Sequence, residues 1–153
     1  MKLRTLGLMT TCLAMAIAPV QGASAAARDS DKILSLTLES ARSHPDYAAK
    51  APTDIKFYFD GQPVTVKQLL GPVKTSRKTN GSGKRNKPDA CRWALISGLI
   101  ALAEEARLQG GNAVVNIKSN FGDVESSSPD SYKCGVGSIM VGVALKGDVA
   151  VVE

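Results

Sequence analysis

The chain is poor in the residues that most often carry chemistry: of 153 residues, one is histidine, three are cysteine and one is tryptophan. Aromatics make up 5% of the composition, and none interleaves with the basic residues from Lys74 to Lys87, so the stacking of a single-strand nucleic-acid binder is absent. No second apolar run follows the first. Trp93 to Ala103 is the best candidate and ends in Glu104-Glu105, well short of the roughly 20 residues a membrane span requires. A nucleotide loop is also missing. Gly81-Ser82-Gly83-Lys84 invites that reading, but Lys78 stands where the first glycine is needed and Arg85 where a magnesium-holding hydroxyl is needed. His44 and the cysteines show none of the short ligand spacings of a zinc site.

What is present begins at the N-terminus. Met1-Lys2-Leu3-Arg4 is basic, Thr5 to Val20 is largely apolar and uncharged, and Ala23-Ser24-Ala25 offers a small-x-small cleavage site. That order predicts a cleaved secretory leader over residues 1–25 and a single periplasmic domain over residues 26–153. The domain would keep 128 residues, enough for one core. Removing the leader's two basic residues leaves seventeen against fourteen acidic ones, a net charge of +3. So mild an excess argues against a dedicated nucleic-acid binder.

Cys12 would leave with the leader. Cys91 and Cys134 remain, an even pair in an exported chain, and a bridge between them is the simplest expectation. A free thiol or a metal-ligand pair is the alternative, since Cys91 would sit at the second position of a helix where the dipole favours thiolate. The stretch Lys74, Arg77, Lys78, Lys84, Arg85 and Lys87 holds no acid until Asp89. It reads either as a solvated loop or as a patch for an anionic envelope partner, such as a lipid headgroup, a lipopolysaccharide or another protein. A third possibility, an enzyme built on the scattered acids Asp46, Asp60 and Glu125, has no spacing to support it.

Periodicity predicts a first strand over residues 31–37 running into a short helix near Glu39 to Arg42, and a strand with Ile55, Phe57 and Phe59 on one face. Residues 64–70 are ambiguous, residues 73–79 suit an exposed strand, and residues 80–88 read as a loop. The principal helix should be capped by Asp89, carry Leu95, Leu99, Leu102 and Ala106 as its buried stripe, and stop at Gly110-Gly111. After it, residues 113–121 should place Val115, Ile117 and Phe121 on one face. Residues 122–133 read as a polar loop. Residues 135–146 read as one strand bearing Ile139, Val141, Val143 and Leu145, with small residues such as Gly142 and Ala144 opposite for the helix to lie close. Gly147-Asp148 has the composition of a hairpin turn into a last strand at residues 149–152. The expected fold is α+β: one long helix on a mainly antiparallel sheet in two layers, plus a short N-terminal helix.

The run Gly110-Gly111-Asn112-Ala113-Val114-Val115, then Cys134-Gly135-Val136-Gly137 and Gly142 to Gly147, resembles the YbjQ-like superfamily, described as heavy-metal-binding domains. It also resembles the periplasmic domain of the outer-membrane lipoprotein that senses envelope stress for the Rcs phosphorelay. Across nearly the whole domain the chain is similar to small exported proteobacterial proteins, through Lys56 to Phe59, Lys78 to Asn80, Ala90 to Ala94 and the C-terminal V-A-L-K-G. Those proteins often bear the automated name excinuclease ATPase subunit, which the absent nucleotide loop, the short chain and the leader do not support. The Rcs lipoprotein carries four domain cysteines and a lipidation cysteine, where this chain keeps two and none. Together these readings imply a non-catalytic, disulfide-stabilised periplasmic domain that binds an envelope component, with no cofactor. The alternative is a thiol-redox or metal-binding protein using Cys91 and Cys134.

Overall fold

The computed structural model describes residues 32–81 and 86–153. The expected leader, and Lys84 and Arg85 of the basic stretch, lie outside the described residues. In chain order the elements are β1 (Lys32–Thr37), α1 (Leu38–Arg42), α2 (Pro45–Lys50), β2 (Lys56–Phe59), β3 (Val66–Asn80), α3 (Lys87–Leu108), β4 (Ala113–Phe121), β5 (Val124–Ser126), β6 (Ser131–Val136) and β7 (Met140–Val152).

The expected architecture, one long helix on a mainly antiparallel sheet with one short N-terminal helix, is overturned. The described residues form a seven-stranded mixed sheet in the order β1-β6-β7-β4-β2, with β3 also on β7 and β5 on β4, accompanied by three helices. The sheet is mixed because β2 runs parallel to β4, pairing Lys56 with Ala113 and Phe57 with Val114. Parallel neighbours need a crossover, and here β3 and α3 together supply it.

The ambiguous residues 64–70 join the exposed strand expected at residues 73–79, and the polar loop expected at residues 122–133 is partly extended. Residues 64–80 hold one fifteen-residue strand, β3, antiparallel to β7 along its length. Residues 122–133 contain β5 and the start of β6. Gly122 (φ 63°) and Asp123 (φ 61°) turn β4 back onto β5, both in the left-handed conformation that a tight hairpin demands. Conversely, Gly147-Asp148 is no turn. β7 passes straight through it, with Gly147 opposite Val73 and Asp148 opposite Pro72. Gly135 and Val136 belong to β6, and Ile139, expected inside, stands 62% exposed just before β7.

α3 starts earlier than Asp89. Asn86 is its cap, accepting from the Asp89 N–H at 2.9 Å, and Pro88 occupies the first turn where no amide partner is lost. At the other end the Gly111 N–H reaches the Ala106 carbonyl (2.8 Å) and the Gly110 N–H that of Arg107 (3.1 Å), with Gly110 at φ 79°. That doubled closure is what a glycine past the helix end makes possible. The stripe Leu95, Leu99, Leu102 and Ala106 is buried as expected and packs with Val73, Val141, Val143, Leu145 and Val149. Burying each leucine contributes about 2 kcal/mol. The helix therefore lies on the branched side of β7 rather than on Gly142 and Ala144; the room for close approach comes from Gly98 of α3, over Leu145.

One residue decides the faces of β4. Asn116 takes φ 53°, and pairing with β7 slips there by one residue, so that Val115 faces Asp148 and Lys118 faces Lys146. Such a bulge exchanges the faces of the strand on either side of it. Val114 and Ile117 accordingly share the helix-side core, while Val115 joins Ala113, Ala150 and Val152 in a second cluster, packed with Tyr58 and Val64. The expected face of Val115 with Ile117 is thus broken. Opposite the bulge only glycine fits. A Cβ on Gly147 would meet the Val115 carbonyl oxygen at 2.7 Å.

Candidate functional site

Cys91 and Cys134 form a disulfide, with Sγ–Sγ 2.01 Å and Cα–Cα 5.9 Å. Both residues are fully buried, and the bond joins the second turn of α3 to the middle of β6. Because the helix begins at Lys87, Cys91 sits a full turn inside it, away from the free amides that would have favoured a thiolate. His44 caps α2, its Nδ1 accepting from the Asp46 N–H at 3.2 Å. Among the described residues no group of three or more potential metal ligands converges. Trp93 is half-buried, with the Lys50 ammonium 5.4 Å from its ring centroid, which ties α2 to α3.

The basic stretch does not form one patch. Along β3, side chains alternate between the helix side and the opposite face of the sheet. Val73 enters the core, so Lys74 and Lys78 share the opposite, open face while Arg77 lies on the helix side. Lys74 and Lys78 form no ion pair with any described residue. Lys87 is committed elsewhere. Its ammonium donates to the carbonyls of Gly137 (3.1 Å) and Ser138 (3.0 Å), holding the turn between β6 and β7.

The open face carries a groove of about 760 Å3 that no pattern in the sequence announced. The bulge at Asn116 and the hairpin at Gly122 build it, bringing Lys118 and Glu125 beside Asp60, Lys74, Lys146 and Asp148. Two of the three scattered acids meet here. The Lys118 ammonium lies 3.6 Å from Asp60 and 4.0 Å from Glu125, and Glu125 also accepts from Lys146. The Ser127 hydroxyl, and then Lys118, hold the Asp60 carboxyl below its ordinary range. Lys146, then Lys118, does the same for Glu125. Both are therefore ionised acceptors near neutrality, a poor state for donating a proton. Asp46 lies on α2 and is not among the residues that line the groove. Asn116 donates to Asp148 at 3.0 Å, so the bulge residue itself lines the groove.

No family model matches the chain, and no curated protein matches it. Among solved structures, the chain is similar to a protein of unknown function from Pediococcus pentosaceus ATCC 25745 that belongs to the DUF74 family. The two are 14% identical with a TM-score of 0.46, over 65% of this chain and 98% of the other.

Proposed function

We propose that the protein is an exported, non-catalytic binding domain that holds an anionic component of the cell envelope. The observation that carries the reading is the buried Cys91–Cys134 bond. Disulfides of this structural kind belong to oxidising compartments, and the first 25 residues have the order of a secretory leader. Kinship with the small exported proteobacterial proteins and the YbjQ-like superfamily belongs to the same proposal. Two observations support the absence of catalysis. The acids that meet, Asp60 and Glu125, are neutralised by lysines, and the two domain cysteines are spent on each other. The positive charge available to a partner includes that of Lys74 and Lys78, neither of which forms an ion pair among the described residues. No helix in the described residues is long and apolar enough to cross a membrane.

A photocrosslinker placed at Ser76 in intact cells, combined with subcellular fractionation, tests the reading. The expected result is a discrete adduct in the periplasmic fraction that disappears when Lys74 and Lys78 are both changed to Glu. Protein confined to the cytoplasm, or no adduct at all, contradicts it.

A further inference from the structure

Lys74 and Lys78 lie on a strand with one side open. β3 pairs with β7 and with no other described strand. Which of its amides face outward follows from the register. The Gly81 N–H donates to the Ile139 carbonyl at 2.7 Å, continuing the β3–β7 ladder, so the odd-numbered residues back to Val73 bond inward. The even-numbered ones, Lys74, Ser76 and Lys78, turn their N–H and C=O groups to the open side. Pro72, which has no N–H, falls in the same outward set, as proline in an edge strand must.

Beside this edge runs a recess of about 560 Å3 between β3 and α3, lined on its helix side by Thr75, Arg77, Ala101, Glu104, Glu105 and Leu108. Leu108 is 82% exposed, the most exposed of the large apolar side chains described. Lysines on an edge deter unwanted pairing, yet that protection alone leaves the adjoining recess without a role.

We infer that the outer edge of β3 is a strand-addition site for an extended acidic segment of another envelope protein. The inference rests on the binding reading above and names the partner's chemistry. An added strand would complete its ladder on Lys74, Ser76 and Lys78. Its alternate side chains would fall into two sets: carboxylates on the open face against Lys74 and Lys78, and small apolar groups on the helix side over Ala101 and Leu108. A second copy of this chain is a poor occupant. From Val66 to Asn80 the strand carries four basic residues and no acid. Antiparallel self-pairing about Ser76 would set Lys74 directly against Lys78, which is repulsive.

The test is fluorescence-anisotropy titration of the purified oxidised protein with a labelled, acetylated Glu-Val-Glu-Val-Glu-Val-Glu peptide. The expected result is saturable binding that weakens with salt. It should fall about tenfold or more when the peptide is N-methylated at alternate amides, and by a similar factor with Ser76→Pro. The methylated peptide leaves the protein untouched, so a folding defect in the variant does not decide the outcome. The double change Lys74→Glu with Lys78→Glu should weaken binding as well, and a Lys-Val peptide should not bind. No saturable binding up to about 1 mM, or binding indifferent to N-methylation, overturns the inference. Phosphatidylglycerol vesicles distinguish the two levels of the argument. Lysine-dependent vesicle binding without peptide binding sinks strand addition and leaves the anionic-partner reading standing. Binding of neither sinks both.

Discussion

Breaking the bond between Cys91 and Cys134 should cost the fold more than any single change outside the core. The two cysteines are 43 positions apart and both fully buried. Closing a loop of about 44 residues in the unfolded chain removes chain entropy worth about 4 kcal/mol at 25 °C. For a domain whose total stability is of order 5 to 15 kcal/mol, that is about a quarter or more. Reduction leaves both sulfurs in place, so little native packing is lost and the loop entropy dominates. Urea unfolding followed by Trp93 fluorescence, on oxidised protein and on protein refolded under reductant, reads the effect. With a slope of about 2 kcal/mol per molar, the midpoint should fall by about 2 M. The thermal midpoint should fall by about 10 to 20 °C. The native oxidised protein should also reduce slowly, because dithiothreitol reaches the bond only through opening of the α3–β6 contact. A midpoint shift under about 0.5 M would refute the reasoning, since the bond would then be offset by strain or the reduced chain would keep its loop closed.

Gly147→Ala should destabilise by about 2 kcal/mol, because the new Cβ meets the Val115 carbonyl oxygen at 2.7 Å where neither backbone moves freely; urea midpoints at unchanged slope check it. Asn86→Ala should cost about 1 kcal/mol, and Asp89→Ala clearly less, in the same assay, since Asn86 holds the cap of α3. Burial pushes the Tyr132 hydroxyl up to about 12 from 10.0, against a smaller opposing pull from Arg92. A folded value raised above the unfolded one means the stabilisation is whole below pH 10 and is lost as pH rises toward 12. Tyr132→Phe should flatten that decline in a stability-against-pH series, and a decline that persists unchanged would refute it. For Asp60 and Glu125 the sign is reversed: their folded values are lowered, so their contribution is present above the ordinary carboxylate range and disappears as pH falls through the folded values. Carboxylate NMR titration checks the direction.

What the sequence revealed and what it hid divide along physical lines. The stripe of α3, its glycine stop and the first strand were legible because period and punctuation agree with tertiary burial in those segments. Around β4 they do not agree. Asn116 in a left-handed conformation leaves the alternation of Val115 and Ile117 intact on paper while reversing the face of one of them. Gly147-Asp148 reads as a hairpin by composition, but its glycine answers a close approach of the bulged strand. The parallel pairing of β2 with β4 is invisible locally, because it depends on a crossover more than fifty residues long. The cysteine pair was the most legible element of the candidate site, since two cysteines beyond residue 25 leave one pairing within the chain. Clustering of the basic residues was the least legible. Linear adjacency hid that β3 sends Lys74 and Lys78 to one face and Arg77 to the other, and that Lys87 is spent on a turn.

The most direct test of an exported, disulfide-bonded domain is the intact mass of the native protein taken from cells under alkylation and without reductant. The account predicts a chain beginning at Ala26, unmodified by the alkylating agent and lighter than the reduced form by two hydrogens. A chain that retains residues 1–25, or one carrying alkyl groups on Cys91 and Cys134, would contradict it.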